Sequence, residues 1–251
     1  MPEPRDDRLA VLVDADNTSA SHADNLLEEI AKYGRPTVKR AYGDWTDQHL
    51  VRWRDQFVKH SIQPVQQFAY TKGKNASDSA LIIDAMDLLY AGNLDAFAIV
   101  SSDSDFTSLA MRLRESGATV YGLGRRKTPE SFRAACDRFI FLENLGAAPE
   151  TEGGDEPAPP LPELRTLLTK AIESTSGDDG WSTMSAVGNY LGKTDNSFDS
   201  RNYKFAKLST LAKAQDYLEV KGATASTPMR LRLRPAAKKG AGKKAAKKQS
   251  S

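Results

Sequence analysis

The chain has 251 residues, 39% of them apolar, and a formal net charge of +2. That length holds one large domain or two modest ones, and the apolar fraction excludes a chain disordered throughout. A single cysteine, Cys136, excludes an intrachain disulfide framework and a thiolate zinc cluster. The N-terminus MPEPRDDRLAVLVDADN lacks the basic region and apolar run of a signal peptide. No run of about 18 apolar residues follows, so a cytoplasmic protein without a membrane span is expected.

In chain order, LAVLVD (9–14) predicts a strand and SHADNLLEEIAKYG (21–34) a helix with Leu26, Leu27 and Ile30 at helical spacing. TVKRAYGD (37–44) predicts a strand, the stretch near 47–59 a helix, and SIQPVQQF (61–68) a weaker strand. SDSALIIDAMDLLYAG (77–92) is a helix stopped by Gly92. AFAIVS, TVYGLG and FIFL then predict strands separated by the helices FTSLAMRLRESG and PESFRAAC. Short apolar strands alternating with helices imply an α/β domain, three layers deep, with a mostly parallel sheet covered on both faces. Ligands in such sheets collect at the carboxyl ends of the strands.

Acidic residues gather at that edge. Asp14 and Asp16 end the first strand, Asp103 and Asp105 follow AFAIV in SSDSDF, and Asp78 sits in the first turn of the helix after TKGKNAS. Like charges at close range repel and raise one another's pKa, unless a divalent cation shares them. Oxygen-only ligands suit Mg²⁺ or Mn²⁺, which align water and stabilise charge on a phosphodiester. Asp14, Asp78, Asp103 and Asp105 are the predicted metal and catalytic residues, with Asp16, Asn17, Ser101 and Ser102 in support. The competing reading is that Asp103 or Asp105 only caps the following helix. From Asp78, Asp84 turns away by about 240° and Asp87 by about 180°. Asp84 is expected to support the site from behind and Asp87 to face solvent. Lys72, Lys74, Arg125, Arg126 and Lys127 flank the same edge as phosphate contacts, or else form solvated loops. Tyr42, Trp45 and Tyr70 are candidates for base stacking or for core packing. His22, His49 and His60 are scattered and suggest no general base.

VLVDADN, TKGKNASDSALIIDAMDLL and IVSSDSDFTSLAMRLRESGATVYGLG, in that order over residues 8–145, resemble the NYN domain of the PIN-like nuclease superfamily, in its LabA-like branch. The resemblance implies a PIN-like α/β/α fold, a Mg²⁺ or Mn²⁺ site and RNA phosphodiester hydrolysis by metal-activated water. It matches Asp14, Asp78, Asp84, Asp103 and Asp105 to the family's acidic positions, with KGKNASD in place of a tighter Lys-Gly-x-Asp turn. DADNT (14–18) also has the D-x-D-x-T arrangement of haloacid-dehalogenase-like phosphatases, but Asp103-Ser-Asp105 fits that family poorly.

The Pro/Gly/acid-rich stretch 146–160 reads as a linker, dividing a domain at 1–145 from a module at 161–235 and a lysine-rich tail at 236–251. In the module, three helices (161–175, 180–193, 202–214) precede DYLEVKG and PMRLRLRP, which predict a two-stranded wing. This stretch is similar to the LOTUS, or OST-HTH, domain, which implies a small winged-helix module that binds RNA or docks a protein partner. Arg201, Lys204, Lys207, Arg230, Arg232 and Arg234 would then meet phosphate, and the tail would add affinity for RNA or DNA. The expectation is a metal-dependent ribonuclease; the alternatives are a non-enzymatic RNA-binding or adaptor protein, or a DNA-directed nuclease.

Overall fold

The computed structural model describes residues 7–68, 76–146, 161–224 and 227–234. Tyr70, Lys72, Lys74, the greater part of the acidic linker and the lysine tail lie outside these residues. Strand and helix alternate through β1 (Arg8–Asp14), α1 (Ala23–Ile30), β2 (Arg35–Gly43), α2 (Trp53–His60), β3 (Gln63–Gln66) and α3 (Ala76–Tyr90). They continue through β4 (Ala96–Val100), α4 (Thr107–Glu115), β5 (Thr119–Gly124), α5 (Glu130–Ala135) and β6 (Arg138–Phe141).

The six strands pair in parallel in the order β3-β2-β1-β4-β5-β6. Side chains alternate across each strand, so β1 feeds two cores. Leu9, Val11 and Val13 pack with Leu26 and Ile30 of α1 and Trp53 of α2. Ala10 and Leu12 face the opposite layer, with Leu81 of α3, Leu109 of α4 and Phe132 of α5. The expected three layers are present. The strand order reverses between β1 and β4, and such a reversal opens a crevice beyond their carboxyl ends. Asp14 ends β1 and Ser101 follows β4, so the topology aims both at that crevice. Gly124, at the end of β5, keeps this corner tight. A Cβ there would lie 2.5 Å from the Ser101 carbonyl oxygen.

The C-terminal domain contains α6 (Leu164–Thr175), β7 (Ser182–Thr183), α7 (Met184–Thr194), α8 (Leu208–Lys213), β8 (Leu218–Lys221) and β9 (Arg230–Leu233). Leu168, Ile172, Val187, Leu191, Leu211, Leu218 and Leu231 form its core. The wing has three strands in the order β7-β9-β8, not the expected two, because Ser182 and Thr183 pair with Leu231 and Arg230. The expected third helix is shorter than 202–214. Lys204 adopts a left-handed conformation (φ 67°), which ends a 3₁₀ turn at Ser200–Tyr203 before α8 begins.

A polar seam joins the domains. The Asn196 side-chain amide donates to the carbonyls of Arg133 (2.7 Å) and Cys136 (2.6 Å) at the end of α5. The Asn196 backbone carbonyl accepts from Phe139 N–H on the edge strand β6 at 2.9 Å, so a sheet edge that would otherwise offer an unpaired donor is covered. Arg201 donates two hydrogen bonds to Glu29 (2.9 and 2.8 Å) at the end of α1 while also holding Asp199. Among the described residues, no helix is long and apolar enough to cross a membrane.

Candidate functional site

Carboxylate oxygens of Asp78, Asp103 and Asp105 lie within 4.8 Å of one another. Two elements bring them there: the first turn of α3 carries Asp78, and the 3₁₀ turn between β4 and α4 presents Asp103 and Asp105. Asp103 does act as a cap, its Oδ1 accepting from Asp105 N–H at 2.9 Å. A carboxylate has about four acceptor sites, so the cap and a ligand role coexist.

Asp14 stands beside this cluster, 1% exposed. Its Oδ2 accepts from Ser101 Oγ (2.7 Å) and Asn17 Nδ2 (2.8 Å), and its Oδ1 from Asn17 N–H (3.3 Å). Ser101 Oγ in turn accepts from Asp103 N–H at 3.1 Å, so one buried hydroxyl ties Asp14 to the Asp103 turn. Ser101→Ala is expected to cost about 1–3 kcal/mol in thermal unfolding, since Asp14 loses a donor where water cannot replace it. An unchanged melting temperature would contradict this bond's importance.

The charges register one another. Burial raises the Asp14 carboxyl, and Asp16 raises it further, against the lowering effect of Ser101 and Asn17. Asp78 is pushed from 3.8 to about 6, first by burial and then by Asp14, Asp103, Asp105 and Asp16. A raised acid pKa is destabilising above the unfolded value, with the cost relieved as pH falls from about 6 toward 3.8. In EDTA at neutral pH, Asp78→Asn should therefore raise the melting temperature by a few degrees, about 1 kcal/mol. Mn²⁺ should stabilise the wild type more than this variant. An oxygen-only set of clustered acids, repelling one another in a partly desolvated pocket, fits a hard divalent cation.

The supporting residues divide. Asp16 is exposed and accepts from Ser77 Oγ at 2.6 Å, joining the end of β1 to the start of α3. Ser102 Oγ accepts from Arg125 N–H at 2.9 Å. Among the described residues, Asp84 makes no hydrogen bond to the cluster; its carboxylate binds Arg40 and the Tyr42 hydroxyl of β2. Burial and Asp84 together raise the Tyr42 phenol. Tyr42 is fully buried and Trp45 packs edge-on against Phe57, which assigns both to packing and not to base stacking. Asp87 is exposed, as expected.

Arg125 and Lys127 line a groove of about 580 Å³ beside the acids, together with Asp16, Asn17, Ser102 and Arg52. Arg52 carries no motif that marks it in the sequence, and only folding brings it here. Arg126 points elsewhere, into a cleft between the domains. Lys204 and Lys207 are exposed. The other expected phosphate-binding residues are engaged within the protein. Arg201 holds Glu29 and Asp199, Arg230 pairs with Asp179 (2.7 Å), and Arg232 pairs with Glu219 (2.7 Å) over the Trp181 ring. Arg234 donates to the Leu218 carbonyl at 2.9 Å. Glu219 on the neighbouring strand and Asp179 in the loop before β7, both distant in sequence, pair with two arginines of a wing that reads as basic.

No curated protein matches the chain. Among solved structures, a protein of unknown function from Vibrio parahaemolyticus aligns at 17% identity over 59% of this chain and all of that one, with a TM-score of 0.46. An uncharacterised Nitrosomonas europaea protein aligns at 30% identity over 36% of this chain and 94% of that one, with a TM-score of 0.26. A Chromobacterium violaceum fragment aligns at 40% identity over 29% of this chain and 80% of that one, with a TM-score of 0.25. The NYN domain model matches residues 8–143 and the OST-HTH/LOTUS domain model residues 159–229. With more than half its length matched, the chain belongs to the NYN-domain family, its PIN-like N-terminal domain followed by a LOTUS/OST-HTH domain.

Proposed function

We propose that the chain is a Mg²⁺- or Mn²⁺-dependent ribonuclease that hydrolyses RNA phosphodiester bonds. The convergence of Asp78, Asp103 and Asp105 within 4.8 Å, beside the buried Asp14, carries this reading. The family to which the chain belongs, a PIN-like nuclease family, supports it. A cation held by these acids supplies charge stabilisation and water activation at the phosphodiester. Ser101 and Asn17 hold the Asp14 carboxylate in one orientation. Asp103 and Asp105 are held by the turn that Asp103 itself caps. Arg125 and Lys127 bring positive charge to the adjoining groove, where a phosphate backbone would lie. The LOTUS domain, a nucleic-acid-binding module, contributes RNA affinity.

The test is incubation of purified protein with end-labelled single-stranded RNA and Mn²⁺, with EDTA and single-stranded DNA arms. RNA cleavage that stops in EDTA is expected. Binding without cleavage, with either cation, would make the protein an RNA-binding adaptor, and faster cutting of DNA would overturn the RNA preference.

A further inference from the structure

The wing arginines and Arg201 are engaged within the protein, which raises the question of where the basic surface for nucleic acid lies. We infer that the cleft between the two domains is a binding groove for single-stranded RNA, with Arg126 and Arg133 as its phosphate-binding residues. This rests on the nuclease reading and deepens it by giving the substrate a path.

The cleft has a volume of about 870 Å³ and is lined by both domains. Arg126 and Arg133 each place a guanidinium carbon 5.9 Å from the centre of the same ring, that of Phe141. Two like charges therefore converge on one aromatic side chain. Lys193, in the last turn of α7, brings a third cation from the other domain. Among the described residues none of these three enters an ion pair. Arg133 Nε is moreover buried without a hydrogen-bond partner. Acids also line the cleft, and two have partners. Asp137 holds Arg114 (2.9 Å), and Asp195 accepts from Ser197 N–H (2.9 Å) and Oγ (2.6 Å). Glu130 and Asp195, whose charge these neutral donors leave intact, remain against the three cations, and the cleft keeps a net positive charge.

Convergent cations with unfilled donors cost free energy until a polyanion arrives. A nucleic-acid backbone supplies repeated charge at a spacing that discrete carboxylates in a peptide do not. The loop 125–127 then connects the two places. Arg125 and Lys127 face the groove beside the acidic cluster, and Arg126, between them, faces the cleft. A strand crossing this loop passes from the interdomain cleft to the carboxylates. Docking of the LOTUS domain thus completes a groove that neither domain has alone.

The experiment is fluorescence anisotropy of labelled oligouridylate with the full chain, in EDTA, over a salt series. Arg126→Glu, and separately Arg133→Gln, should weaken binding about tenfold, and the slope of log K against log salt should become shallower by about 0.7 for each phosphate no longer neutralised. Lys213→Glu, an exposed charge outside the cleft, is the control and should change binding far less. A matched loss on oligodeoxythymidylate supports a groove that reads phosphate alone. A loss confined to RNA supports one that also reads the sugar. Wild-type affinity and slope in Arg126→Glu would overturn the inference and assign the cleft to another occupant, as would an equal loss in Lys213→Glu. Because EDTA removes turnover, the two readings fail separately. Arg126-dependent binding with no cleavage under Mn²⁺ sinks the nuclease and keeps the groove, whereas cleavage with Arg126-independent binding does the reverse.

Discussion

Asp103→Asn should lower single-turnover RNA cleavage by about a thousandfold, while RNA binding and the fold persist. The magnitude follows from losing one negative ligand from a site whose cation contributes several kcal/mol to the transition state. The fold persists because an asparagine oxygen can still accept the Asp105 N–H, and asparagine caps a helical turn as well as aspartate does. In the absence of metal the variant should even be slightly more stable, since Asp103 is one of the charges that push Asp78 up to about 6. Activity and stability therefore move in opposite directions, which a merely structural Asp103 would not produce. Cleavage within tenfold of the wild type would remove Asp103 from the site.

Arg201→Ala has the largest expected effect on stability, a loss of about 3 kcal/mol or more in thermal or denaturant unfolding. Glu29 is 3% exposed, and removing Arg201 leaves that buried charge to the exposed Lys32 and the Tyr33 hydroxyl alone. Burial alone would raise Glu29, but Arg201 and Lys32 outweigh it and hold the carboxyl at about 2 in place of 4.5. The sign of the pH dependence follows from that direction. A depressed acid stabilises the fold fully above the unfolded pKa of 4.5, and the contribution is lost as pH falls toward about 2. The wild type should lose stability across that window, and Arg201→Ala should show a flatter profile. Scattering profiles should also broaden in the variant, because Arg201 spans the domain seam. In a double-mutant cycle, Glu29→Gln should recover part of the Arg201→Ala loss. Stability within about 0.5 kcal/mol of the wild type would reduce the pair to surface chemistry.

The sequence makes the acidic edge legible for a simple reason. Buried parallel strands must be nearly all apolar, as AFAIV is, so the polar residues that follow mark the strand end and hence the edge where ligands bind. Asp14, Asp103 and Asp105 could be picked by that rule with no distance in hand, and Asp78 by its place in the first turn of a helix. What stays hidden depends on partners distant in sequence. Glu29 and Arg201 are 172 residues apart, and nothing local to either announces the other. Asp84 follows Asp78 on one helix, but its rotation turns it to Arg40 and Tyr42. The wing strand MRLRLR alternates as a strand should, but Glu219 and Asp179 are supplied by other segments. Carboxylate placement follows topology, whereas the fate of an arginine depends on which acid folding brings within reach.

Electron paramagnetic resonance of Mn²⁺ titrated into the wild type and into Asp103→Asn tests the metal site most directly. A bound-ion signal is expected in the wild type and should weaken strongly in the variant, at the Mn²⁺ concentrations that support RNA cleavage. Equal Mn²⁺ binding by both proteins, or RNA cleavage that continues in EDTA, would contradict it.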